Sequence, residues 1–373
     1  MPSFPDHQVN LLRKIVELYS PTGKENEVAQ LLVEEMCSLG LSCRIDEAGN
    51  AVGECTGEDS TILLCGHMDT VPGQLPVKLE GGKLYGRGTV DAKSALAAMV
   101  SAAGLLIAED FPGKIIVVGA VDEEGKGQGI KKLIESGVRA DFGVFGEPSG
   151  VEGITIAYKG SCHLRVICKT KTGHSSAPWL FHNAVDAAMA FWRELQKIHF
   201  AEEKTDSKFH SVTSTITRIQ GGGSSSTVPS LCELHADFRL PPAVPLKRFL
   251  EEVSKTVEGY RLSHSDVELL VEVDDSCEPY EADRNSTLVR GLAWAIRSIR
   301  GRPAMLLRKT GTGDMNVLGA TLHVPMITYG PGDSKLDHTD DEYIDLGEYL
   351  DSIRILREGL IRTLELRNRS MRR

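Results

Sequence analysis

Three apolar runs in this sequence end in residues that can bind metal ions or move protons. ILLCGHMD (62–69) carries His67 and Asp69, IIVVGAVDEE (115–124) carries Glu123 and Glu124, and FGVFGEP (142–148) carries Glu147. Asp91 sits in the turn GRGTVDAK, and His338 lies late in the chain in GPGDSKLDHTDDE. A lone histidine at a strand end is usually structural, and acids in turns are usually solvated. Here two histidines and five acids are candidates for one sheet edge, which points to chemistry. Imidazole and carboxylate without thiolate suit zinc, with cobalt or manganese as substitutes. A pair of ions about 3.5–4 Å apart needs one bridging carboxylate and roughly two further ligands each. The inventory fits that count, with Asp91 as bridge, His67 and Glu147 on one ion, and Glu124 and His338 on the other. Glu123 is then a strong acid free of the ions.

Such residues meet only if the strands that carry them lie side by side. In open α/β sheets, ligands bind beyond the carboxyl ends of the strands. Helical periodicity over 7–19 and 24–39, broken by SPTG, precedes the apolar runs, and helical stretches at 92–108 and 127–137 alternate with them. That alternation predicts an α/β fold, with a mainly parallel sheet and helices on both faces. Around Tyr158 the texture changes. CHLRVICKT alternates like an open-faced strand, followed by a helix (182–197), a strand (212–219) and a Gly/Ser loop (221–226). A strand (231–238), a helix (245–258) and a strand (266–273) come next. The order β-α-β-β-α-β predicts a ferredoxin-like α+β domain inserted over 159–275. Helices over 287–300 and 346–366 complete the first domain, which is expected to comprise 1–158 and 276–373.

The 373 residues are 41% hydrophobic and 25% charged, a size and composition for two soluble domains. The net charge of -10 weighs against a nucleic-acid partner, which would need a basic face. Eight scattered cysteines include no CxxC pair, and the opening MPSFPDHQVNLLRK lacks an apolar core. A disulfide framework and secretion are therefore not expected, and the cytoplasm is the expected compartment. The longest apolar run, Ser94 to Ala108, is too short to span a bilayer, so no membrane partner is expected. The basic end LRNRSMRR reads as a solvated tail.

Six stretches, in order along nearly the whole chain, carry a specific resemblance. They are GHMDTVP (66–72), LYGRGTVDAKSALAAM (84–99), VDEEGKGQG (121–129), GEPS (146–149), GHSSAP (173–178) and HTDDEYI (338–344). Together they resemble the dinuclear-zinc peptidase/deacylase family, which includes acetylornithine deacetylase, succinyl-diaminopimelate desuccinylase and glutamate carboxypeptidase. The resemblance implies two Zn2+ per chain on the ligands named above. It implies Glu123 as general base, and Asp69 as the acid that orients His67 and sets its tautomer. If the segment is extended, successive side chains point opposite ways. Glu124 would then face an ion and Glu123 the reacting water, while Asp122 only caps the turn. The inserted domain resembles the family's lid and dimerisation domain. His174 of GHSSAP would stabilise the oxyanion across a homodimer, and Arg239 of DFRLP would bind a substrate carboxylate.

RKTGTGDMN (308–316) resembles the branch that releases lysine or ornithine from a small amino-group carrier protein. The bond would join the amino acid's α-amino group to the γ-carboxyl of the carrier's C-terminal glutamate, in lysine and arginine biosynthesis. Lys309 would meet the acidic carrier tail or a substrate carboxylate, with Thr310 and Thr312 lining the pocket. Two positions depart from the family pattern: Gly313 stands where Ser is frequent, and Ser226-Thr227 where many deacylases have Asn-Val. The alternatives are a small-molecule deacylase of the same family and a non-catalytic relative that only binds carrier.

Overall fold

The runs that carry the candidate ligands are neighbouring strands. In the computed structural model, which describes residues 5–204 and 206–371, Thr61–His67 lies between Lys114–Ala120 and Phe142–Gly146, parallel to both. Met326–Thr328 extends the parallel array beyond Phe142–Gly146. Consecutive residues of these strands are buried. Both faces of the sheet are therefore covered, which is why the strands read as unbroken apolar runs. Antiparallel strands flank them: Ala51–Glu54 and Ser42–Ile45 on one side, Gly153–Tyr158 on the other. The sheet is thus mainly parallel, as expected.

Helix Lys93–Ala108 is buried along most of its length. It approaches the sheet closely at Ala95 and Leu96. A Cβ on Gly66 would lie 3.2 Å from the Leu96 Cβ, and one on Gly146 would lie 3.3 Å from the Ala95 Cβ. Each of these glycines precedes a candidate ligand, His67 or Glu147. The same close approach brings Asp91, just before the helix, to the strand ends.

The chain divides into two compact units. One comprises Met1–Ala157, Ala282–Arg308 and Gly313–Arg373, and the other Tyr158–Glu281 and Lys309–Thr312. The boundary expected at 275 falls inside strand Glu268–Cys277, whose ladder with Gly160–Lys169 runs on to the pair Cys277–Ser161. Lys309–Thr312 also departs from the expected division. It groups with the second unit, where the Lys309 carbonyl accepts the Lys159 N–H at 3.1 Å.

The second unit is a four-stranded antiparallel sheet in the order Thr213–Gly221, Leu231–Leu240, Gly160–Lys169, Glu268–Cys277. With helices Ala184–Leu195 and Leu246–Ser263 it has the β-α-β-β-α-β succession. Alternate strand residues such as Leu164, Val166, Leu234 and Phe238 share one core with Phe191, Trp192 and Phe249 of the helices. One sheet face is packed and the other open, hence the alternating sequence.

In the first unit, helices Thr287–Arg300 and Leu346–Met371 meet at Gly291, where a Cβ would lie 2.3 Å from the Thr363 Oγ1 and 2.7 Å from the Gly359 carbonyl. Alanine normally favours a helix interior over glycine by ~1 kcal/mol, but overpacking costs about 1–3 kcal/mol. Gly291→Ala is therefore expected to lower the unfolding temperature. Gly259→Ala, in open space within Leu246–Ser263, is expected to raise it. Thermal unfolding followed by circular dichroism checks both signs.

Candidate active site

Six candidate residues form two adjoining groups in the first unit. Donor atoms of His67, Glu123 and Glu147 lie within 4.8 Å of one another, as do those of Asp91, Glu124 and His338. Asp91 joins the groups, with Oδ1 3.1 Å from the His67 Nε2 and Oδ2 2.9 Å from the His338 Nε2. The His338 Nε2 is also 2.9 Å from the Glu124 Oε1, and the His67 Nε2 is 3.6 Å from the Glu147 Oε1. The sequence count left Glu123 outside the ligands, whereas its carboxylate stands in the first group.

The tautomer of His67 follows from its neighbours. The Nδ1–H donates to the Asp69 main-chain carbonyl at 2.9 Å, while the Asp69 Oδ1 is 3.6 Å away. The orienting contact is therefore shorter from the Asp69 backbone than from the carboxylate expected to make it. In neutral His67 the Nε2 lone pair then faces the oxygens of Asp91 and Glu147. That arrangement is repulsive unless a proton or a cation lies between them. Two imidazoles and four carboxylates without thiolate are a donor set that fits a pair of divalent ions.

The Asp69 carboxylate has a different task. It is buried, and its two oxygens accept the N–H groups of Glu123 and Glu124, each at 3.1 Å. The strand ends at Ala120, and the chain then turns. Asp122 adopts φ +63°, a left-handed conformation that Asp tolerates better than most residues. Its carbonyl accepts the Gly127 N–H at 2.7 Å and its carboxylate the Gln128 N–H at 3.2 Å. The separation of Glu123 from Glu124 thus comes from a turn, which Asp122 shapes, and not from alternation along an extended segment.

Two further residues hold Asp91. The Glu342 Oε1 accepts the Val90 and Asp91 N–H groups at 2.8 and 3.2 Å, and its Oε2 pairs with the Arg87 guanidinium at 3.0 Å. Both Arg87 and Glu342 are buried. Sequence reasoning gave them no role, although they lie inside GRGTVDAK and HTDDEYI and so were within reach. Asp314, in KTGTGDMN, was passed over in the same way. Burial pushes its carboxyl up to about 6, and its charge bears on Glu123.

Burial and the close packing of charges shift several of these titrations. Burial pushes the Glu123 carboxyl up to about 8; His67 pulls it down, and the charges of Asp314, Asp91 and Glu124 add to the rise. Burial, then Asp91, raises Glu124 as well. Burial also disfavours a charge on His67, but Asp69, Asp91, Glu147 and Glu123 outweigh it and hold the imidazole well above its ordinary value. Hydrogen bonding to Asp91, with the charge of Glu124, lifts His338 to about 9. Asp91 itself is lowered, because His338 and His67 outweigh its burial.

The remaining predicted residues belong to the second unit. His174 is exposed, and its Nδ1 accepts the Ser176 N–H at 3.1 Å. A neutral ring therefore carries its proton on Nε2. The loop is paired through His174 with Thr227, so the unusual Ser226-Thr227 stretch is structural support for it. The Arg239 Nε donates to Asp237 at 2.9 Å. Lys309 is half-buried, while Thr310 and Thr312 are exposed.

Residues 63–362 match the family described as Peptidase family M20/M25/M40. The chain belongs to that family. Similar M20 relatives include a protein of Thermococcus kodakarensis, provisionally named a LysW-lysine/LysW-ornithine hydrolase. It is 38% identical over 94% of this chain and 90% of its own length. A Deinococcus radiodurans protein named LysW-lysine hydrolase is 34% identical over 97% of this chain and 99% of its own. The fold matches the solved structure of the aminopeptidase PepT of Bacillus cereus, at a TM-score of 0.80, 22% identity, and coverage of 96% of this chain and 98% of that one. With two groups of residues that could each hold a metal ion, this M20 chain is a metal-dependent amidohydrolase.

In the ion-free M20 site, His338 and Glu123 hold protons around neutral pH, since their values lie at about 9 and about 8. An ion held by His338 must displace the proton from that imidazole. Zinc affinity is therefore expected to rise with pH through neutrality and to fall on acidification. Calorimetry of zinc binding in buffers of different ionisation enthalpy should detect proton release. Heats independent of buffer would contradict the ligand set.

Proposed function

We propose that this chain uses a pair of divalent ions to hydrolyse the amide that joins lysine, ornithine or both to a small amino-group carrier protein. Zinc is the expected metal, with Co2+ or Mn2+ as substitutes. The carrier is the protein that the relatives' names denote LysW, and the bond runs from the amino acid's α-amino group to the γ-carboxyl of the carrier's C-terminal glutamate. The products are the free amino acid and free carrier, in lysine and arginine biosynthesis. The observation that carries this reading is the identity of 38% and 34%, over nearly the whole chain, to relatives named for that bond. KTGTGDMN supports it from within the sequence.

In this reading His67 and Glu147 would hold one ion, Glu124 and His338 would hold the other, and Asp91 would serve both. Bound divalent ions supply Lewis acidity, which lowers the pKa of water and polarises a carbonyl. Glu123 takes the proton of the attacking water and delivers it to the departing α-amine. The His174 Nε2–H donates to the developing oxyanion, supplied across a homodimer formed by the second unit, which also acts as lid. Arg239, oriented through Asp237, receives a substrate carboxylate. Lys309, Thr310 and Thr312 line the approach of the carrier tail. All eight cysteines are free thiols, which suits a reducing, cytoplasmic setting. No helix among the described residues is long and apolar enough to cross a membrane.

Incubation of the zinc-loaded protein with lysyl-carrier, ornithyl-carrier and acetylornithine tests the substrate. Cleavage of the carrier conjugates is expected, and turnover of acetylornithine alone would overturn the reading. Glu123→Gln is expected to lower kcat about 10²–10⁴-fold while metal content is retained. Metal loss in that variant would make Glu123 a ligand and not the base.

A further inference from the structure

Three consecutive amides of the acidic turn are gripped by carboxylates from elsewhere in the chain. The Asp122 N–H donates to the Glu25 Oε1 at 3.3 Å, and the Glu123 and Glu124 N–H groups donate to the two oxygens of Asp69. Both acceptors lead back to residues 20–25, SPTGKE, which the sequence presented only as a break between helices. The Thr22 hydroxyl donates to the Asp69 Oδ2 at 2.8 Å, the same oxygen that receives the Glu124 N–H. The Glu25 Oε1 also accepts the Gly23 N–H at 2.9 Å, so its carboxylate is fixed within its own loop.

The loop is itself fastened beside the strand that bears His67. The Ser20 Oγ donates to the Met68 carbonyl at 2.7 Å, the Thr70 N–H donates to the Ser20 carbonyl at 2.9 Å, and Pro21 bridges to Thr70. On the other side it touches the turn. A Cβ on Gly125 would meet the Thr22 methyl at 2.9 Å and the Asp122 Oδ1 at 2.1 Å. A side chain at Gly125 would press on Asp122 and on Thr22, so glycine lets the loop and the turn approach closely.

We propose that Thr22 and Glu25 are positioning residues, which hold the Glu123–Glu124 turn in register with His67 by way of Asp69 and Asp122. The physical need is specific. Asp122, Glu123 and Glu124 are consecutive acids, so their side chains repel. Their amides must be anchored if the carboxylates are to keep separate directions. Hydrogen bonds from N–H groups to carboxylates are charge-assisted and short-ranged in orientation. Asp69 contributes at both ends: its carbonyl fixes the His67 ring and its carboxylate fixes the turn. Thr22 adds a third donor to that carboxylate, on the oxygen that also receives the Glu124 N–H. A misplacement of about 1 Å at a catalytic group can cost on the order of 100-fold in rate, so a contact remote from the substrate can govern kcat.

The inference rests on Glu123 as the base but not on which amide is cut. The test uses the zinc-loaded full chain with lysyl-carrier, and Glu123→Gln alongside. Thr22→Val keeps the shape and removes the hydroxyl. It is expected to lower kcat roughly 10–100-fold, with KM, bound metal and unfolding temperature close to wild type. Thr22→Ser should restore most of the loss, because it restores the donor. Glu25→Gln keeps an oxygen acceptor and should retain most of the rate that Glu25→Ala loses. This second pair carries the test if Thr22→Val does not fold. Wild-type kcat in Thr22→Val, with Glu123→Gln inactive, would overturn the clamp. So would an equal loss in Thr22→Ser and Thr22→Val. An active Glu123→Gln would instead remove the base assignment, and the clamp's purpose with it.

Discussion

The carboxylate of Asp91 lies between two imidazoles, 3.1 Å from one and 2.9 Å from the other, and the first unit is built to keep it there. Four carboxylates share this small volume, and each disfavours the ionisation of the others. Such a cluster is stable only where positive charge enters it, as imidazolium or as metal ions, and where each acid has its direction fixed by backbone. Glu342 does this for Asp91, Asp69 does it for Glu123 and Glu124, and the Asp69 carbonyl does it for His67. The buried Arg87–Glu342 pair shows what that support requires. Removing two charges from water costs several kcal/mol per ion. The cost is offset because Glu342 also receives two amides, and Arg87 also donates to the Gly73 and Thr339 carbonyls.

The sheet supplies the rigid part of this arrangement. Parallel strands covered on both faces end together, so residues just beyond them converge without any special loop. Helix Lys93–Ala108 then closes against Gly66 and Gly146, and it can do so because those positions lack side chains. The irregular part is the 121–127 turn and the segments that hold it. The proposed division of labour between Glu123 and Glu124 depends on this irregular part, whose hydrogen bonds are few and individually identifiable.

The second unit follows simpler rules. Its strands alternate because one face is packed and the other is open, and its core is continuous across both helices. His174 and Arg239, to which the proposed function gives roles, are held by short local contacts. His174 takes its tautomer from an amide two residues away, and Arg239 takes its direction from Asp237, also two residues away.

What the sequence by itself determined were properties of one segment at a time. Unbroken apolar runs meant strands buried on both faces, alternation meant a half-open antiparallel sheet, and the residue types at the strand ends meant a mixed nitrogen and oxygen site. The motifs added the resemblance to the dinuclear-zinc peptidase/deacylase family. What only the tertiary structure decided were matters of partnership. The turn after Ala120 depends on acceptors 54 and 97 residues away in Asp69 and Glu25, and the hold on Asp91 depends on Glu342, 251 residues away. The last strand of the second unit runs to Cys277 because Ser161 is opposite it. Periodicity records which face of an element is buried, since that is a property of successive side chains. It does not record which distant carboxylate meets a given amide, because that contact exists only once separate elements are brought together.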